Sequence, residues 1–172
     1  TSLLIKAGNV IGRDMGGYER LYEGIADAFR SKFLNTDADE YNTQTAYSLA
    51  LCFDLADDRK EMARRLAELI RKNGGKIATG FVGTPYVLYA LSENGYADVA
   101  FDLLLSEEYP SWLYCVNHGA TTIWEHWDGI RDDGGFWDSE MNSFNHYAYG
   151  SVFDWIFTVA AGITPKEGGY RR

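Results

Sequence analysis

The chain has 172 residues, enough for one domain with a sizeable core, and 25 acidic against 16 basic residues give it a net charge of −9. No run of Lys and Arg exceeds two residues, which argues against nucleic acid or an anionic membrane as partner, because phosphate binding is driven by clustered cations. Its apolar runs are too short to span a bilayer, and an aromatic content of 15% suits either a packed core or a sugar-lined cleft.

Thr1 opens in mid-pattern, with Leu3, Leu4, Ile5 and Ala7 reading as the tail of a helix. The expectation is a single-domain piece of a larger protein, so the missing targeting signal carries no information about compartment. Tyr18, Leu21, Tyr22, Ile25, Ala26, Phe29 and Phe33 then follow i, i+3, i+4, i+7 spacing and predict an amphipathic helix over about 15–34. A more uniformly apolar helix follows over about 43–56, with Ala46, Leu49, Ala50, Leu51, Phe53 and Leu55. Asp58 and Glu61 resemble a capping box opening a third helix, striped by Met62, Leu66, Leu69 and Ile70 and stopped by Gly74-Gly75. Thr84-Pro85 predicts the start of a fourth, with Thr as N-cap and Pro at the first helical position; Gly95 ends it. A fifth runs from about Tyr96 to Leu105.

Helical periodicity then stops. Residues 107–141 hold Trp112, Trp124, Trp127 and Trp137 with four glycines. A stretch this long without a helical pattern is usually functional or disordered, and its aromatic content argues against disorder. A final helix is expected over about 143–161, terminated by Gly162 and Pro165. Amphipathic helices (15–34, 58–73) alternate with apolar ones (43–56, 84–94, 143–161) expected to be buried on most sides. This alternation predicts an all-α fold of stacked αα-hairpins, either a solenoid or a closed α/α toroid. Cys52, within an apolar helix pattern, reads as a buried reduced thiol.

The chemistry concentrates in Gly119–Gly129. There Glu125 stands between Trp124 and Trp127. Indole faces can stack on the C–H face of a sugar and give a carboxylate a low-dielectric surrounding, which a general acid or base in glycoside chemistry needs. On spacing alone, a core-facing loop with a capping acid serves equally well.

Five segments bear a family resemblance, in the family's order: Gln44–Leu51, Thr79–Pro85, Glu107–Leu113, Gly119–Glu125 with its Thr121-Thr122-Ile123-Trp124-Glu125 run, and Met141–Gly150. Together they resemble the α-L-rhamnosidases of glycoside hydrolase family 78. The resemblance implies an (α/α)6 barrel with its active site at one mouth, cleaving terminal α-L-rhamnose with inversion. Inversion needs two carboxyl groups about 6.5–9.5 Å apart, leaving room for water between base and sugar. The resemblance assigns the general base to Glu125 and a contact with rhamnose hydroxyls to His146, a role that Asn145 and Tyr149 could share. The general acid belongs to an upstream motif that this chain does not match. The expectation is therefore about half of an (α/α)6 toroid, its C-terminal half, with 163–172 a linker to a further domain and no turnover by the chain alone.

Trp127 is expected to wall a sugar subsite, Trp124 to pack inward, and the Gly80 and Gly83 turn to aim Phe81 at the cleft. His118 and His126, near Glu125 and Asp128, match no zinc spacing, and Asp132-Asp133-Gly134-Gly135 lacks the alternating ligands of a calcium loop. Gly80 and Gly83 have neither the preceding strand nor the following Lys of a nucleotide loop. Neither metal nor cofactor is expected. The partner expected is a rhamnose-containing glycan or glycoside, with self-association through apolar helix faces left uncovered. Two other functions fit the residues: a helical module that binds carbohydrate without chemistry, and a different α/α-toroid glycosidase or lyase.

Overall fold

The computed structural model describes residues 1–34, 41–140 and 142–164. Among them the chain is helical, with no strand and one isolated bridge between Ile130 and Phe136. The helices are α1 (Ser2–Val10), α2 (Gly16–Phe29, continued by a π-helical turn Arg30–Leu34), α3 (Gln44–Cys52), α4 (Arg59–Lys72), α5 (Gly80–Ser92), α6 (Ala97–Leu105), α7 (Trp112–Asn117) and α8 (Val152–Trp155). A 3-10 turn, Ala148–Ser151, leads into α8, and a π-helical turn, Ile156–Ala160, follows it.

The core lies where α3, α4, α5 and α6 meet. Ala50 and Leu51 of α3, Ala63, Leu66 and Ile70 of α4, Val87, Ala90 and Leu91 of α5, and Ala100 and Leu103 of α6 are buried together with Trp155. Small residues set the closest approach. A Cβ on Gly83 would stand 2.6 Å from the Thr45 hydroxyl and 3.1 Å from the Thr45 Cα, so only glycine lets α5 lie this close to α3. α4 is amphipathic as expected, with Glu61, Arg64, Arg65 and Glu68 pairing on its solvent face. Asp58 caps it by accepting from the Glu61 amide at 3.0 Å. Glu61 does not return the bond that a full capping box requires; its carboxylate takes hydrogen bonds from Arg64 and Arg65. Gly74 and Gly75, both at positive φ, end α4, and the Gly75 amide donates to the Ile70 carbonyl at 2.9 Å.

Several expectations need correction. α5 starts at Gly80 rather than at Thr84-Pro85. Pro85 sits a turn and a half inside it, where its missing N–H forfeits the bond to the Phe81 carbonyl. The Thr84 hydroxyl donates to the Gly80 carbonyl at 2.6 Å and lies 2.8 Å from the Thr79 hydroxyl, which tightens this first turn. Gly80 supplies the turn with φ +56°, whereas Gly83 serves helix packing. Within 107–141 a short helix, α7, forms behind Ser111, whose side chain accepts from the Tyr114 amide. The last helical stretch begins at Ala148, because 143–146 pairs with another loop, and its Phe153 and Phe157 are exposed rather than buried. On α2 the stripe of Tyr18, Leu21 and Ile25 is likewise exposed, with no described element covering it.

Cys52 is half-buried and Cys115 buried, both as free thiols. Burial pushes the first up to about 11 and the second up to about 12. Pro165 and most of the expected linker 163–172 lie outside the described residues.

Candidate functional site

Two loops that are distant in sequence build the site. The Glu125 amide donates to the Ser143 carbonyl at 2.9 Å, and the His146 amide donates to the Ile123 carbonyl at 2.8 Å. The Thr122 hydroxyl donates to the Phe144 carbonyl between these two rungs. Segment 122–125 is thereby clamped to 143–146, with Glu125 against Ser143 and His146 against Ile123 on one loop pair. Gly129 closes the same loop: a Cβ there would stand 3.2 Å from the rings of both Trp124 and Phe144. Asn142 Nδ2 donates to the Gly129 carbonyl at 2.9 Å and ties the two loops at their base.

A column of rings backs this clamp. Trp112 meets Trp127 edge-on with centroids 5.2 Å apart. Trp127 lies flat on Tyr149 at 3.9 Å and 6°. Tyr149 leans on Phe81 at 5.4 Å, and Phe81 stacks on His146 at 4.8 Å. The column thus joins α7, the Glu125 loop, the turn before α8, the start of α5 and the His146 loop. Trp112 also donates its indole N–H to the Tyr149 carbonyl at 2.9 Å. Phe81 keeps 43% of its surface exposed, at the end of the column where His146 stands.

His146 is held in one tautomer. Its Nδ1 accepts from the Ala148 amide at 3.3 Å, which in the neutral ring leaves the proton on Nε2. Nε2–H is then the donor available to a ligand oxygen. Asn145 is exposed beside it, and the surface cleft formed by Thr122, Ile123, Asn145, His146, Tyr147 and Gly150 measures about 510 Å³.

Glu125 is half-buried, and its carboxylate has no hydrogen-bond or ion-pair partner among the described residues; the same holds for Asp128. Tyr149 is pushed up to about 12, chiefly by burial and then by Tyr109, Cys115 and Glu125. Tyr109 is raised by burial and by Asp128, so these acids and phenols share one region.

Of the expected tryptophans, Trp124 is 4% exposed and packs edge-on against Phe144. Trp127 is half-buried, and one of its faces is already covered by Tyr149. His118 is engaged by other groups: its Nδ1 faces the Tyr114 carbonyl at 2.8 Å and its Nε2 faces Asp132 at 3.0 Å. His126 stacks on Trp137 at 3.6 Å. Among the described residues no three His, Cys, Asp or Glu side chains converge as a metal would require. Sequence reasoning gave Tyr149 only a minor role and Trp112 none in the site. The period-free spacing between Trp112, Trp127 and Tyr149 carries no signal that their rings meet.

Comparisons with known proteins identify relatives along most of the chain. The model of the bacterial alpha-L-rhamnosidase 6 hairpin glycosidase domain matches residues 1–160. An α-L-rhamnosidase from Streptomyces avermitilis is 45% identical over 165 residues, covering 94% of this chain and 16% of the relative. One from Formosa agariphila is 42% identical over 98% of this chain and 19% of its own length. The chain therefore spans less than a fifth of these relatives. Among solved structures, the Streptomyces avermitilis α-L-rhamnosidase complexed with L-rhamnose superposes with a TM-score of 0.88 at 44% identity, over 93% of this chain and 16% of that one. The α-L-rhamnosidase of Aspergillus terreus superposes with a TM-score of 0.81 at 35% identity, over 87% of this chain and 18% of that one.

Proposed function

This chain belongs to the bacterial α-L-rhamnosidase six-hairpin glycosidase family, its αα-hairpins forming about half of an (α/α)6 toroid, and from that premise we propose that it carries the base side of an inverting rhamnosidase site. In the full-length protein Glu125 takes a proton from water as the water attacks the anomeric carbon of a terminal α-L-rhamnose. His146 donates from Nε2 to a sugar hydroxyl, and Phe81 offers an apolar face beside it. Asn145 is placed to share the hydroxyl contacts.

One observation carries this reading: a half-buried carboxylate with no partner among the described residues, on a loop hydrogen-bonded to that of a histidine whose Nδ1 is already engaged. Structural acids are normally paired or solvated, and a site acid must be available to its substrate. The general acid comes from outside this chain, so the 172-residue chain alone cannot protonate a leaving group and turns over no aryl rhamnoside. The test is the first-formed product of the full-length protein, followed by NMR. β-L-Rhamnose is expected; α-L-rhamnose or an unsaturated sugar would refute inversion at this site.

The isolated chain also exposes apolar residues at two places, Leu3, Val10 and Ile11 at one and Phe153, Phe157 and Ile163 at the other. Such faces seek cover, and the chain on its own self-associates through them. Sedimentation of a stable monomer at micromolar concentration would contradict this.

A further inference from the structure

Tyr149 sits at the middle of the ring column and has no role in the chemistry proposed above beyond a shared sugar contact. It is 7% exposed, yet its hydroxyl has no hydrogen-bond partner among the described residues. Its ring cannot swing: Trp127 covers one face at 3.9 Å, Phe81 abuts it at 5.4 Å, and its carbonyl is held by the Trp112 indole at 2.9 Å. That oxygen is not among the buried unpartnered polar atoms of the described residues, so it opens to solvent. Here the ring is fixed by three contacts while the hydroxyl is left open.

The column also ties the Tyr149 ring to the Glu125 loop. Trp127 lies two residues after Glu125 and Tyr149 three residues after His146, and the two loops are clamped by the Glu125–Ser143 and His146–Ile123 backbone bonds. We propose that Tyr149 is a positioning residue for the Glu125 base, its ring setting the Glu125 loop against the His146 loop and its hydroxyl holding the water that Glu125 deprotonates. Glu125 is among the groups whose charge Tyr149 senses, together with Tyr109 and Cys115, which places the phenol in the same region as the carboxylate. The proposal rests on Glu125 being the base.

Two variants of the full-length protein, assayed on an aryl α-L-rhamnoside, separate the ring from the hydroxyl. Tyr149→Phe keeps the column and removes the O–H; kcat is expected to fall about tenfold to a hundredfold, with KM within about twofold and an unchanged unfolding midpoint. Tyr149→Leu removes the column, and KM and the unfolding midpoint are expected to move as well. A double-variant cycle then tests the link to Glu125. If Tyr149 works through the base, Glu125→Gln combined with Tyr149→Phe is no slower than Glu125→Gln alone. Full kcat in Tyr149→Phe, or losses that multiply in the double variant, would overturn the proposal while a crippled Glu125→Gln leaves the base assignment standing. Normal turnover by Glu125→Gln would sink the base assignment and this proposal with it.

Discussion

Glu61 on α4 receives hydrogen bonds from Arg64 and Arg65, whereas Glu125, in the loop clamped to His146, receives none from the described residues. Other charges on the helical frame are held in the same way. Arg59 donates to the Leu51 carbonyl and pairs with Asp54, and Arg30 pairs with Asp27 and Asp57 and donates to the Leu55 carbonyl. The site loops leave Glu125 and Asp128 open, and the Tyr149 hydroxyl with them. These frame charges are satisfied locally whereas the acids of the site loops are not, which is the pattern expected of a functional site on a stable frame.

Mutations can break that contrast from the scaffold side. Trp155 is 1% exposed, packs edge-on with Phe101 and donates its indole N–H to Ser92. Trp155→Ala should cost about 3–5 kcal/mol in chemical denaturation. Gly83→Ala drives a Cβ into Thr45 and forces α3 and α5 apart; about 1–3 kcal/mol is expected. Since Phe81 stands on the same turn of α5, this variant should also weaken rhamnose binding by the full-length protein, measured by calorimetry. Asp58→Ala removes the α4 cap and should cost about 1 kcal/mol without touching sugar affinity.

The smallest effect is electrostatic. The two arginines hold the Glu61 carboxyl down at about 2, below its ordinary value of 4.5. A carboxylate depressed in the folded state adds stability that is present above about 4.5 and is lost as pH falls from there through about 2. Glu61→Gln should therefore flatten the acid-unfolding curve slightly in that window and change nothing at neutral pH in the site.

The scaffold was largely legible in the sequence because its signals are local. The stripe Met62, Leu66, Leu69 and Ile70, the Asp58 cap and the Gly74-Gly75 stop lie within one helix, and each matches the structure. Thr84-Pro85 misled because Pro favours a first helical turn, while the tertiary contact of Gly83 with Thr45 draws the helix start back to Gly80. The five family-like segments singled out Glu125, His146 and Phe81; the rings of Phe81 and His146 stack, and the Glu125 loop is hydrogen-bonded to the His146 loop. What the sequence withheld is long-range. The rungs joining 123–125 to 143–146 cross about twenty residues of irregular chain, and no periodicity records them. For the same reason the pattern extended the last helix back over 143–147, where the backbone instead spends its groups on the Glu125 loop.

The central claim is that Glu125 is left unpaired for catalysis and not for the fold. Glu125→Gln in the full-length protein measures this directly, with kcat on an aryl α-L-rhamnoside, affinity for L-rhamnose and the unfolding midpoint read on one preparation. The account predicts a loss of about a thousandfold or more in kcat, with affinity and unfolding midpoint retained. Near-normal turnover, or a loss of rate that merely follows unfolding, would contradict it.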